Sequence, residues 1–284
     1  MLIKLSNNDK TVKRQPLITV ITVVFNGAKT LEKSILSVID QTYKNVELII
    51  IDGGSTDGTL DVIKKYERSI DYWVSEPDKG IYDAFNKAVT CANGDWLCFI
   101  GSDDFFWNNS VLASMAISLI DVLPSTKLVY GQVAIINNQQ ELIYSVGEPW
   151  AITKPKLAFT MAVPHPGLMH RRSWFEQYGL YDITYRIAGD YENILRGWPN
   201  EDAVFVPDCT VVGMAQGGIS STPSNAIQSL KEVHRAQHIH GLSKPKLQES
   251  LAFITTYIRL ALVALLGERQ TYKLLSVARK LCGN

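Results

Sequence analysis

The feature that most narrows the fold is a set of unbroken apolar, β-branched runs separated by amphipathic stretches. Residues 17–25 (LITVITVVF), 46–51 (VELIII) and 96–100 (WLCFI) are continuous rather than alternating. A strand wetted on one face alternates apolar with polar residues, whereas one covered on both faces does not. Between these runs, residues 28–41 carry Leu31, Ile35, Val38 and Ile39 at helical spacing. Residues 59–66 and 81–90 repeat that period on either side of a short strand at 72–75. The order βαβαβαβ predicts a doubly wound α/β layer in the first half of the chain. After Asp104 the rhythm loosens. Helices are expected over 111–122, 172–178, 190–197 and 225–240, a strand over 127–136 with a hairpin partner at 141–145, and turns through 149–167.

Composition removes some classes of function. With 28 basic and 28 acidic residues the chain is formally neutral, so no basic surplus marks a nucleic-acid binder. Anions must be met by a few placed groups. Cys91, Cys98, Cys209 and Cys282 are scattered without a CxxC pair, which suits core or incidental thiols and a cytoplasmic setting. Residues 1–16 are polar and read as a loose tail without the apolar core of a signal peptide. Residues 17–240 are expected to form the main domain, with a donor half at 17–105 and an acceptor half at 106–240. Residues 241–284 form a helical C-terminal segment. There LAFITTYIRLALVALL (251–266) is strongly apolar but shorter than the ~18 to 20 uninterrupted residues of a spanning helix. Two placements fit this segment. It lies on a membrane surface with Arg269, Lys273, Arg279 and Lys280 toward anionic lipid, at the inner face of the plasma membrane, or it completes the core or a homodimer.

Ligands of open α/β sheets bind beyond the carboxyl ends of the strands. Three polar loops open there: Phe25-Asn26-Gly27, the loop 52–58 (DGGSTDG) and Gly101-Ser102-Asp103-Asp104. The adjacent carboxylates of Asp103 and Asp104 repel each other unless a cation or donors offset the charge. A hard divalent ion, Mg²⁺ or Mn²⁺, is the simplest offset, and a capped turn is the alternative. Asp52 is either a turn residue or a fixed acceptor for an N–H of a base or sugar. The loop 52–58 lacks the Gly-Lys-Ser/Thr ending of a phosphate-cradling P-loop. In the segment 75–87 (SEPDKGIYDAFNK), Asp78 can cap the following helix, while Lys79 can face a phosphate.

Taken together, VITVVFN, ELIIIDGGSTDGT, SEPDKGIYDAFNKA and ANGDWLCFIGSDD stand in the order found in inverting family 2 glycosyltransferases, and the chain resembles that family over residues 17–105. The likeness continues through HPGLMHRR (165–172), IAGDYENILR (187–196) and GGIS (217–220), and is strongest to bacterial enzymes building surface polysaccharides. It implies a GT-A, Rossmann-like nucleotide-sugar-binding sheet with a helical C-terminal extension. It also implies transfer from a nucleotide diphosphate sugar, UDP-linked above all, to a hydroxyl of a glycan or polyprenyl-linked acceptor. By this resemblance Thr22, Val24, Asn26 and Asp52 line the base pocket, Lys79 meets base or diphosphate, and Ser102 and Asp103 meet the donor. Asp104 would hold Mn²⁺ or Mg²⁺, and His165 would touch donor or acceptor. Asp190 matches the catalytic base, with an N-cap as its alternative role and Glu192 as the fallback base. One departure is that Gly101-Ser102 precedes the acidic pair, so only two carboxylates stand there. A nucleotidyltransferase would instead bring a glycine-rich, basic loop after the first strand, and a non-catalytic sugar-nucleotide or glycan-binding subunit would need no base. His234 and His238, four apart, lack a third metal ligand in register.

Overall fold

The computed structural model describes residues 14–137, 139–215 and 223–242, with scattered positions between 254 and 271. Residues 1–13 of the predicted tail, GGIS and most of the C-terminal segment therefore lie outside the described residues. A nine-stranded mixed sheet forms the centre. Strands β1 (Ile18–Val24), β2 (Val46–Asp52), β3 (Tyr72–Ser75) and β4 (Trp96–Gly101) are parallel, in the order β3-β2-β1-β4. Helices α1 (Leu31–Ile39), α2 (Thr59–Lys65) and α3 (Ile81–Cys91) connect them.

The continuous apolar runs are explained by two cores, one on each face. Ile18, Val20 and Val24 of β1 join one core with Leu31 and Ile35 of α1. Ile21 and Val23 join the other with Ala84, Phe85 and Ala88 of α3. The sheet continues through β8 (Met169–Arg171), antiparallel to both β4 and β6 (Leu128–Ile136), and then β9 (Ala203–Ala215) and β5 (Phe105–Phe106). Strand β7 (Leu142–Val146) pairs with β6 as the expected hairpin partner. Helices α4 (Val111–Asp121), α5 (Trp150–Lys156), α6 (Arg172–Tyr178), α7 (Gly189–Gly197) and α8 (Pro223–Ile239) complete the described elements.

Two elements differ from expectation. The 13-residue strand β9 was not foreseen, because Pro207-Asp208 interrupts its apolar run. The structure absorbs the interruption as a bulge: β6 advances from Tyr130 to Gln132 while β9 advances from Phe205 to Thr210. Gly131 sits opposite, where an added Cβ would lie 2.4 Å from the Cys209 carbonyl oxygen. The turn-rich stretch also holds the short helix α5, despite Pro155 within it. Among the described residues, no helix is long and apolar enough to cross a membrane.

Candidate active site

Strand order reverses at β1, with β2 on one side and β4 on the other, and open α/β sheets bind ligands beyond the carboxyl ends at such a point. Asp52 pairs in register with Val24 of β1 and Ser75 of β3, and Gly101 pairs with Val23. The loops after β1, β2 and β4 thus share one edge. The loop after β2 is fastened to the loop after β1. Ser55 Oγ accepts the Asn26 N–H at 2.7 Å, Asn26 Oδ1 accepts the Thr56 N–H at 2.9 Å, and Thr59 Oγ1 accepts the Gly27 N–H at 3.0 Å. Asn26 itself holds a left-handed φ of 53°, a conformation Asn tolerates better than most residues. Ser102 meets this loop from β4, its Oγ lying 3.1 Å from where a Cβ on Gly27 would stand.

The sequence-derived residues fare differently. Thr22 and Val24 are buried in the sheet, and Val24 joins the α1-side core, so their side chains are not brought to the open edge. Asp52 is fully buried at 0% exposure. Its Oδ2 accepts the N–H groups of Gly54 (3.2 Å) and Ser55 (3.0 Å) and the Ser75 hydroxyl (2.6 Å), and its Oδ1 accepts the Ser55 hydroxyl. This carboxylate organises the loop and presents no exposed atom to a ligand. Lys79 is exposed just before α3, and among the described residues only its backbone N–H is engaged, by Asp83.

Asp103 is exposed and Asp104 buried. Both carboxylates crowd Gly101: a Cβ there would lie 2.8 Å from Asp103 Oδ1 and 2.8 Å from Asp104 Oδ2. Asp104 Oδ2 accepts the Gly101 N–H at 3.0 Å, but its buried Oδ1 has no partner among the described residues. Burial, with the Asp103 charge second, pushes the Asp104 carboxyl up to about 7. An unmatched buried carboxylate oxygen beside a second carboxylate is a donor set that fits a hard divalent ion. No cluster of three or more His, Cys, Asp or Glu side chains among the described residues could hold a metal. Such an ion would therefore take most of its shell from water and substrate oxygens, as Mg²⁺ commonly does.

Asp190 approaches the start of α3 from α7, which shares a core with that helix. It lies in the first turn of α7, where Oδ1 accepts the Tyr191 N–H at 2.8 Å and lies 3.2 Å from the Tyr82 hydroxyl. That hydroxyl also reaches the Ile187 carbonyl at 2.7 Å. Tyr82 belongs to the first turn of α3, three residues after Lys79, and Gly189 packs on its ring, where a Cβ would lie 2.8 Å away. Burial first, and Asp190 second, hold the Tyr82 phenol well above its ordinary value, so it stays a proton donor. His165 stacks on Phe99 of β4 at 5.2 Å and bonds Tyr181 Oη at 3.0 Å. Burial pulls its pKa down, with Asp190 partly opposing. Glu192, the fallback base, is already committed: Arg196 and His240 both bond its buried carboxylate.

Sequence reasoning missed Tyr82 and Glu232. The buried Glu232 carboxylate of α8 accepts the N–H groups of Arg186 (3.0 Å), Ile187 (2.8 Å) and Ala188 (2.9 Å), fixing the approach to Asp190. Its only sequence signal is an acidic residue in an otherwise mixed helix, which is too weak to read.

A mixed α/β sheet with polar, acidic loops beyond the carboxyl ends of its parallel strands has the layout of a Rossmann-like nucleotide-binding fold. Residues 19–141 match the family described as Glycosyl transferase family 2. A PGL/p-HBAD biosynthesis glycosyltransferase of Mycobacterium tuberculosis is 32% identical over 216 residues, covering 73% of this chain and 80% of the relative. A second, uncharacterized glycosyltransferase of that organism is 35% identical over 184 residues, covering 64% of this chain and 68% of the relative. Among solved structures, S. aureus TarS 1–349 in complex with UDP superposes with a TM-score of 0.62 at 17% identity, covering 85% of this chain and 71% of that one. This chain spans 43% of a longer TarS chain. A mannosyltransferase from Pyrobaculum calidifontis, in complex with GDP-Man and Mn²⁺, superposes at 0.61 with 18% identity, covering 95% and 81%. The chain belongs to glycosyl transferase family 2, and it is a glycosyltransferase.

Proposed function

We propose that this glycosyltransferase moves one sugar, with inversion, from a nucleotide diphosphate sugar to a hydroxyl of a glycan or lipid-linked acceptor in surface polysaccharide synthesis. A UDP-linked donor is the reading we carry forward. The observation that carries the proposal is the meeting of Asp190 with the α3 start, on the edge where Asp103 and Asp104 stand. The neighbours bound to UDP and to GDP-Man with Mn²⁺ support a nucleotide-sugar donor and a divalent ion.

In this mechanism the acceptor oxygen attacks the anomeric carbon opposite the leaving diphosphate. The new C–O bond forms as the bond to the β-phosphate oxygen breaks, the electron pair leaving with the diphosphate. Asp190 Oδ2, which takes no hydrogen bond among the described residues, accepts the acceptor's proton. Its Oδ1 stays oriented by the Tyr191 N–H and Tyr82. Asp104 and Asp103 would hold Mn²⁺ or Mg²⁺, which when bound neutralises charge on the leaving diphosphate. In this reading Lys79 would add its ammonium to that neutralisation, and Ser102 and Asn26 would border the donor. His165, buried and neutral, supports the floor beneath Asp190. Residues 17–105 form the donor half and 106–240 the acceptor half, with 241–284 at a membrane surface or a dimer contact.

The test is nucleoside diphosphate release from a panel of nucleotide sugars with lipid-linked acceptors, in Mn²⁺ and in EDTA, with the product anomer read by NMR. Release in Mn²⁺ only, with the opposite anomeric configuration to the donor, is expected. Retained configuration would refute the inverting role of Asp190.

A further inference from the structure

Helix α3 belongs to the donor half yet grips the segment that carries Asp190. Ala84, Phe85 and Ala88 seat it on the sheet, in one core with Ile21 and Val23 of β1 and Phe99 of β4. Tyr82 and Asn86 stand four residues apart, so their side chains project from one face of the helix. The Asn86 side chain spans the backbone of Tyr181: Nδ2 donates to its carbonyl at 2.9 Å and Oδ1 accepts its N–H at 2.9 Å. The Tyr82 hydroxyl lies 2.7 Å from the Ile187 carbonyl oxygen and 3.2 Å from Asp190 Oδ1. These contacts cross 95 to 108 residues of chain.

The Tyr82 ring has little freedom. A Cβ on Gly189 would lie 2.8 Å, 2.9 Å and 2.9 Å from three of its carbons, so the residue before Asp190 must be glycine for the ring to stand there. Tyr181 packs on the ring at 5.5 Å and Phe85 meets it edge-on at 6.1 Å. Only the O–H bond is left to rotate, and it has one proton for two acceptors. An ionised carboxylate draws that proton, since charge-assisted bonds are roughly twice as strong as neutral ones. Once the acceptor's proton has reached Asp190 Oδ2, the carboxyl is neutral and the nearer Ile187 carbonyl takes the phenolic proton instead.

Resting on the base assignment above, we propose that Tyr82 is a positioning residue for Asp190. With Asn86 it makes α3 a strut that sets the base against the donor half. Tyr82 aims the ionised base before proton transfer and lets go of it afterwards, while Asn86 holds the neighbouring backbone and never touches the carboxylate. A pair that merely filled the core would leave the titration of the base alone.

Tyr82→Phe removes one oxygen and keeps the ring, and Asn86→Ala removes the second fastening. The substrate is whichever of UDP-glucose, UDP-galactose or UDP-N-acetylglucosamine the wild type uses, with the acceptor found in the panel above. Turnover, the pH profile of kcat/KM and UDP affinity in Mn²⁺ are measured for Y82F, N86A and the double variant, with D190N as reference. Y82F should lower kcat about tenfold and leave UDP affinity within twofold. It should also move the acid limb of the profile up by about half a pH unit, because the charged base loses a donor. N86A should lower kcat by about threefold to tenfold with the limb unmoved. Since both bonds serve one strut, the double variant should lose less than the product of the two single losses. An unmoved limb in Y82F, whether or not kcat falls, would overturn the positioning role and, if D190N is inactive, leave the base standing. Full turnover in D190N would overturn the base assignment and this inference with it.

Discussion

Asp104 should destabilise the very fold it equips. Its Oδ1 is buried without a partner among the described residues, and burial together with Asp103 pushes its carboxyl up to about 7. The folded state therefore holds this proton longer than the unfolded chain, whose carboxyl titrates near 3.8. Stability from this group falls as pH rises from about 4 to about 7, and the full penalty remains above that. A shift of about three units corresponds to about 4 kcal/mol at pH 8. Asp104→Asn removes the charge while its amide oxygen still accepts the Gly101 N–H. The new NH₂, unpaired, costs about 1–3 kcal/mol at every pH. In EDTA the variant should gain on the wild type by about 2–3 kcal/mol between pH 5 and pH 8. Urea unfolding at the two pH values, followed by circular dichroism, measures this difference directly. With Mn²⁺ and UDP added, the wild type should be stabilised and the variant should not. A stability difference between the two proteins that is the same at pH 5 and pH 8 would refute the reasoning.

Other outcomes follow from the same contacts. Glu232→Gln should loosen the Arg186–Ala188 approach and cut turnover tenfold to a hundredfold, with UDP affinity changed less than twofold by calorimetry, because α8 touches the base loop rather than the donor loops. Glu192 is held below the ordinary carboxylate range: burial alone would raise it, but bonds from His240 and Arg196 outweigh that. Its stabilisation is present above about pH 4.5 and lost as pH falls through the folded value. Glu192→Gln should accordingly destabilise by about 3 kcal/mol at pH 7 in denaturant melts, an effect that shrinks in acid. Gly101→Ala should displace both acidic side chains and abolish Mn²⁺-dependent UDP binding, as seen by calorimetry.

The parallel half of the sheet was readable because burial on both faces leaves no alternation, and β1, β2 and β4 fall within a residue or so of the apolar runs. Strand β9 was hidden, since Pro207 and the left-handed φ of 58° at Asp208 are signs of a turn in one dimension. Only opposite Gly131 do they become a bulge in a long strand. The acidic loops were legible from their places after strands, but Asp78 does not cap α3: the cap residue Gly80 has no side-chain cap bond, and Asp78 closes the turn before the helix by accepting the Gly80 N–H. What could not be read was how each carboxylate spends its oxygens. Asp52 and Asp104 look alike as strand-end aspartates, yet one is saturated by local donors and the other has an orphaned atom. Tyr82 and Glu232 act across 108 and 46 residues of chain, a separation at which local pattern carries no signal.

The central claim is that Asp190 removes the acceptor's proton in a cleft whose donor side is built separately. Asp190→Asn, assayed in parallel for UDP affinity and for turnover with donor and acceptor, tests it most directly. Affinity within twofold of wild type and turnover reduced by about 10²–10⁴ are expected. Turnover within a few-fold of wild type, or UDP affinity lost along with activity, would contradict it.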